Sequence, residues 1–385
     1  MSSIRIAIVA GEASGDLLGS HLVTALRARL PQAEFIGIAG PKMMVAGVRT
    51  LFPMEKLSVI GFHEVIRNLF SLLAMRRKLK RQLLAFQPHV YIGVDAPDFN
   101  FGVERALRKR GITTVHYASP SIWAWRGGRI HKIKRAVDHM LVLFPFEKAI
   151  YDQAGIPATY VGHPMADTIP LEDTGKAVRE KLKLSQSAKI VALLPGSRRS
   201  ELHMHADLFV QTAQRLQALI PAVQYLVPLA TKETRTLFEA ALYRHQAQDL
   251  PLTILFGHAQ EAMAAADCIL VKSGTATLEA ALLKRPMVIT YRIPKSTYFL
   301  VKRRFYLPYF GMPNVLAGRF IVPELMQDQA TPENLAQALK TWLEDKTARD
   351  NLHDEYQRMH LELRQNTALR ATDAIIDLLQ ARGVC

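Results

Sequence analysis

Short apolar runs alternate with longer amphipathic stretches along most of the chain. The runs fall at Ile4–Ala10, Phe35–Ala39, Val90–Val94, Thr113–Tyr117, Met140–Leu143, Ile190–Leu194, Gln224–Pro228, Thr253–Phe256, Cys268–Val271 and Met287–Tyr291. Most are continuously apolar rather than alternating, which predicts strands covered on both faces, as in a parallel sheet. Helix-length amphipathic segments such as Leu17–Leu30 and Ala206–Leu219 lie between them. The alternation occurs twice, on either side of the polar stretch Gly162–Ala188 with its Pro164, Pro170 and Gly175. An α/β architecture of two Rossmann-like, doubly wound domains follows, with ligands expected at the carboxyl ends of the strands. The expected domains are residues 1–164 and 165–365, with a C-terminal helix, about 366–385, packing back on the first.

Two of the strand ends carry more than fold information. Residues 190–201 (IVALLPGSRRSE) and 269–283 (ILVKSGTATLEAALL) each read as a strand, a glycine-bearing corner and a helix. Such corners aim backbone N–H groups and a helix N-terminus at one spot, which suits a phosphate. The first adds Gly196, Ser197, Arg198 and Arg199. The second adds Ser273, Gly274, Thr275, Ala276 and Thr277, with Glu279 one turn further on. Two anion-receptive corners in one half of the chain point to a nucleotide diphosphate.

Charge narrows the partners. Lys and Arg total 49 against 34 acidic residues, a net +15, and they cluster at Arg76–Arg81, Arg126–Arg135 and Lys302–Arg304. Clusters of this kind attract nucleic acid, an anionic membrane or a polyanionic substrate. Only two cysteines occur, Cys268 in an apolar run and Cys385 at the last position, so neither a disulfide framework nor zinc spacing is expected and a reducing cytoplasm fits. The first apolar run leads straight to Glu12 and Asp16, as a buried strand would and a signal peptide would not. No stretch is long and apolar enough for a membrane-spanning helix. The chain has no Walker loop and no Asp-x-Asp triplet, so a diphosphate would be neutralised by arginine and helix dipoles, with no metal and no cofactor expected.

The segments GEASGD (11–16), GVDAPDFNFG (93–102), YASPSIWAWR (117–126), GHPMAD (162–167), LPGSR (194–198), SGTATLE (273–279) and MPNVLAG (312–318) together resemble the lipid-A-disaccharide synthase family, from Ile4 to about Gln380. Met312 stands where the family often carries Leu. The resemblance implies a GT-B glycosyltransferase, two Rossmann-like domains facing each other across a cleft. The implied reaction is inverting transfer of 2,3-diacylglucosamine from UDP-2,3-diacylglucosamine to the 6-hydroxyl of 2,3-diacylglucosamine 1-phosphate. It gives the β-1,6-linked lipid A disaccharide 1-phosphate and UDP. The enzyme would then work on the inner face of the inner membrane as a peripheral protein; its oligomeric state stays open, a homodimer included.

Inverting transfer needs a base for the acceptor hydroxyl and a cradle for the departing diphosphate. Asp95 and Asp98 follow the strand Val90–Val94, and Glu12 follows the first strand. Asp95 is favoured because it follows the strand directly and matches the family's key aspartate. An Asp in such a place is otherwise a cap or turn residue, the plainer reading of Asp98. Glu279 is placed for ribose hydroxyls and Asn314 for the donor. His163 reads as a packing residue. Trp123 and Trp125 beside Arg126 read as cleft wall rather than as a platform for nucleic acid. Phe62, Val65, Ile66, Leu69, Leu72 and Leu73 share one helical face ahead of the basic run. That face suits either the core or docking on an anionic membrane, and acylated substrates favour docking. Two other readings share the architecture: a UDP-N-acetylglucosamine 2-epimerase and a peptidoglycan-precursor transferase. A non-catalytic polyanion binder is the third, and it has no need of a diphosphate cradle.

Overall fold

In the computed structural model of the chain, which describes residues 3–58, 62–294, 298 and 305–384 (backbone only for 58 and 62–69), two parallel sheets form separately. The first holds β1 (Arg5–Ala10), β2 (Glu34–Ala39), β3 (Arg49–Pro53), β4 (Val90–Val94), β5 (Thr113–Tyr117), β6 (His139–Val142) and β7 (Ala158–Tyr160), in the order β3-β2-β1-β4-β5-β6-β7. The second holds β8 (Lys189–Leu194), β9 (Val223–Leu229), β10 (Leu252–Phe256), β11 (Cys268–Lys272), β12 (Met287–Tyr291) and β13 (Glu324–Met326), ordered β10-β9-β8-β11-β12-β13. Each chain of strands reverses direction once, between β1 and β4 and between β8 and β11. Those are the switch points at which doubly wound sheets bind ligands.

Central strands are buried along nearly their whole length, as the uninterrupted apolar runs require: every residue of β4 and β5 is buried. Three short strands, β3, β7 and β13, were not legible as runs. All lie at sheet edges, where a half-exposed strand need not be continuously apolar.

The chain divides into two compact units, Met1–Asp167 with Leu363–Cys385, and Thr168–Glu362. The C-terminal helix Thr367–Gln380 packs on helix Ala13–Arg29 and contributes Ala371, Ile375 and Leu379 to the first core. Its start is fixed by Asp167, whose carboxylate accepts from the N–H groups of Asn366 (3.0 Å) and Thr367 (2.7 Å). A carboxylate on free N–H groups at a helix start is favourable through both hydrogen bonding and the helix dipole.

Candidate functional site

In the second unit the corners after β8 and β11 meet around a cavity of about 400 Å³, lined by Gly196, Ser197, Arg198, Gly274, Thr275 and Ala276 among others. Gly196 turns through φ +127°, and a Cβ there would come within 2.6 Å of the Glu201 side chain. No L side chain suits that position. Arg198 and Arg199 are exposed at the start of the long helix Arg199–Leu219.

One expectation about this corner needs correction. The N–H groups of Ser197 and Arg198 are not open to an anion: both donate to Glu201 Oε2, at 3.0 and 3.2 Å. Glu201 Oε1 accepts from Lys272 Nζ at 2.9 Å, and Lys272 also stands 5.0 Å from the Tyr291 ring centre. Burial alone would raise the Glu201 pKa, but Lys272 and the two N–H groups outweigh it and lower it. The carboxylate thus holds the corner in shape and ties it to the end of β11. A cation, Lys272, is left in the cavity wall beside Arg198. Neither Glu201 nor Lys272 stands out in the sequence as a site residue.

The hydroxyls after β11 are also largely committed. Thr277 is buried, donating to the Gly274 carbonyl (2.7 Å) and accepting from Met312 N (3.2 Å). Ser273 Oγ donates to the Phe310 carbonyl at 2.9 Å. Thr277 is therefore a pin of the corner and not a phosphate donor, leaving Thr275 and the Gly274 backbone facing the cavity. Glu279 is half-buried, its pKa raised by burial and then by Glu261.

Asn314 likewise has no hydrogen bond left for a sugar. It is fully buried, with Nδ2 donating to the Val322 carbonyl (2.9 Å) and Glu324 Oε1 (2.8 Å). Its Oδ1 accepts from the N–H groups of Ile321 (2.8 Å) and Val322 (3.1 Å). Two donors and two acceptor sites are the whole capacity of an amide side chain.

In the first unit the ends of β1 and β4 bring Glu12 and Asp95 to one cavity of about 500 Å³, shared with Leu72, Leu73, Arg76 and Phe99. Asp95 and Ala96 are consecutive left-handed residues, φ +52° and +44°, neither of them glycine. Such a conformation costs energy and persists where its surroundings fix it, often at functional sites. Here Asp95 N donates to the Tyr117 carbonyl (2.9 Å), while the Asp95 carbonyl accepts from Asn100 Nδ2 (2.8 Å). Asn100 is held in turn by the Tyr91 hydroxyl at 2.7 Å. The β1 loop crosses so closely that a Cβ on Gly11 would lie 2.5 Å from Ala96 Cβ. The turn therefore presents the Asp95 carboxylate to the cavity from a clamped backbone.

The two aspartates separate clearly. Both Asp98 oxygens accept from Arg129 Nη2 at 3.0 Å, at the start of helix Pro97–Arg108. Among the described residues no side chain pairs with the carboxylate of Asp95, and Glu12 is exposed at its helix start. His163 is buried beside Phe144, accepts from Met165 N at 3.2 Å, and is held neutral by burial, its pKa pushed down to about 4. Trp123 donates to Glu147 (3.2 Å), and Arg126 lies 4.1 Å over the Trp125 ring.

The proposed apolar patch needs partial correction. Helix Phe62–Phe86 buries Met75, Leu79 and Leu83, and Leu72 packs half-buried against that same core, while Leu73 lines the cavity. Phe70 is 83% exposed on the same helix. The side chains of Phe62, Val65, Ile66 and Leu69, and the basic residues Lys302–Arg304, lie outside the described residues. Among the described residues no helix is long and apolar enough to cross a membrane, and no three His, Cys, Asp or Glu side chains converge as a metal site would require.

A family model described as lipid-A-disaccharide synthetase matches residues 6–377. Lipid-A-disaccharide synthase of Dechloromonas aromatica is 56% identical over 379 residues, covering 98% of this chain and 99% of the relative. The protein of the same name from Chromobacterium violaceum is 53% identical over 376 residues, covering 98% and 97%. Among solved structures, the calicheamicin glycosyltransferase CalG4 matches with a TM-score of 0.64 at 14% identity, over 99% of this chain and all of that one. The UDP-GlcNAc 2-epimerase of Neisseria meningitidis bound to UDP-GlcNAc matches with 0.61 at 12%, over 99% and 100%. At such identities these structures speak for the two-domain fold alone. A match to the family model over nearly the whole chain, together with relatives above half identity end to end, is decisive: the chain belongs to the lipid-A-disaccharide synthase family, enzymes of the glycosyltransferase class.

Proposed function

We propose that the chain joins UDP-2,3-diacylglucosamine to 2,3-diacylglucosamine 1-phosphate, with the second unit holding UDP and the first holding the acceptor. Asp95 takes the proton of the acceptor 6-hydroxyl as that oxygen attacks the anomeric carbon of the donor sugar. The bond from that carbon to the diphosphate breaks, its electron pair leaves on phosphate oxygen, and the configuration inverts. Arg198 and Lys272 stabilise the charge that develops on UDP. The observation that carries this reading is the Asp95 carboxylate, which no side chain among the described residues pairs with, displayed by a strained turn at the switch point of the first sheet. Glu12 is a second carboxylate of the same cavity, while Asp98, held by Arg129, serves to fix the loop.

The test is mass spectrometry of the purified protein with both substrates in detergent and no added metal. A tetraacyl disaccharide phosphate plus UDP is the expected result. A folded, UDP-binding protein that forms no disaccharide would refute it.

The same reading places the protein on the cytoplasmic face of an anionic membrane. It is supported by exposed Phe70 ahead of the basic run Arg76–Arg81 on one helix, since an apolar patch rimmed by cations docks on such lipid.

A further inference from the structure

Arg76 sits on helix Phe62–Phe86, between core residues Met75 and Leu79, and faces the cavity that holds Asp95. Its guanidinium lies against the backbone of Gly102 in the neighbouring helix Pro97–Arg108. A Cβ on Gly102 would stand 2.6 Å from Arg76 Nη1 and 3.1 Å from Cζ. Glycine inside a helix is unfavourable relative to alanine, and here the missing methyl is the space the guanidinium occupies. Among the described residues no ion pair involves Arg76, and the nearby Asp98 is taken by Arg129. Half-buried Arg76, with no ion pair among the described residues, shares its cavity with the apolar side chains of Leu57, Leu72, Leu73 and Phe99 and with the carboxylates of Glu12, Asp95 and Asp98. Its guanidinium is the one group of that lining suited to an anion that carries apolar substituents.

We infer that Arg76, seated in the notch left by Gly102, binds the phosphate monoester of the acylated sugar acceptor and selects for it. This rests on the proposal that the first unit holds the acceptor. The apolar wall takes the first part of an acyl chain. The guanidinium also offsets the repulsion a phosphate dianion would otherwise meet from Glu12 and Asp95 in the same cavity.

The test compares two acceptors, 2,3-diacylglucosamine 1-phosphate and its dephosphorylated counterpart, with UDP-2,3-diacylglucosamine as donor in detergent. Arg76→Ala should raise KM for the phosphorylated acceptor about 10- to 100-fold, as loss of a charge-assisted contact does, and leave KM for the dephosphorylated one within about twofold. Arg76→Lys should retain part of the preference. Gly102→Ala, whose alanine favours the helix but obliges the flexible guanidinium to shift, should raise KM for the phosphorylated acceptor by less than Arg76→Ala does, without altering the arginine. UDP affinity should stay at the wild-type value in all three, which also reports folding. An equal loss on both acceptors would make Arg76 a packing residue, and no loss would place the phosphate elsewhere; either overturns the inference. Competition by phosphatidylglycerol as strong as that of the phosphorylated acceptor would also overturn it, in favour of a general anionic-headgroup site. If the wild-type protein turned over neither acceptor, the functional reading itself would fall.

Discussion

Replacing Asn314 by alanine separates a structural role from a donor contact, because the two predict opposite readouts. The amide is fully buried and makes four hydrogen bonds, two of them to the N–H and carbonyl of Val322, itself buried. Truncation leaves those two backbone groups without partners and removes one of the bonds to Glu324, whose pKa is already raised by burial. An unsatisfied buried group costs about 1–3 kcal/mol, so two of them, with the remaining lost bonds, should destabilise by about 3–5 kcal/mol. For a unit of this size that is a fall in Tm of roughly 10 °C. The effect should spread to the nucleotide corner, because Glu324 also accepts from the N–H groups of Phe310 and Gly311, and the Phe310 carbonyl accepts from Ser273. Calorimetry and UDP titration on Asn314→Ala below its lowered Tm check both parts. A melting temperature unchanged within a degree or two, with the KM for donor raised tenfold, would refute the structural role and restore Asn314 as a sugar contact.

Asp95→Asn should lower kcat by about 10²- to 10⁴-fold, the usual contribution of a general base, with UDP affinity unchanged in a titration; near-normal turnover would remove Asp95 from the chemistry. Lys272→Met should weaken UDP binding about tenfold by isothermal titration, because it removes a cation from the cavity wall and leaves the Glu201 carboxylate without its ion pair; unchanged affinity would make the lysine purely structural. Burial raises the Glu147 pKa from 4.5 to about 7, against opposing hydrogen bonds from Phe144, Ser119, Trp123 and Leu143. The folded state then holds this proton more tightly than the unfolded one. Stability should fall by about 3 kcal/mol as pH rises from about 4.5 to about 7, and Glu147→Gln should flatten that slope in denaturant titrations. Serine at Val65, Ile66 and Leu69 should release the protein from anionic vesicles in a flotation assay with Tm unchanged, and a protein that no longer folds would return these positions to the core.

What could be read from the chain follows a physical line. Central strands announce themselves because burial on both faces demands unbroken apolar runs such as Ile190–Leu194, and the chemistry at their carboxyl ends is then placed by topology. Edge strands face weaker demands: Leu252–Phe256 still shows as an apolar run, but Arg49–Pro53 leaves no such trace. The corner after β8 was legible as a turn, and its occupant was too in principle. Glu201 stands three residues after Arg198, the spacing of a capping box, and a glutamate there reaches back to the free N–H groups. Lys272 had a signal of its own, a lone charge closing an apolar strand. Asn314 had none, since its partners are fixed by how residues 310–324 fold back on themselves. Asp95 and Asp98 look alike three residues apart. What separates them is a backbone angle at one and an arginine 31 residues away at the other. Local pattern therefore locates the functional loops, while the division of labour within them depends on contacts between residues distant in sequence. The guanidinium of Arg76 is the same case: its notch exists because Gly102, on another helix, has no side chain.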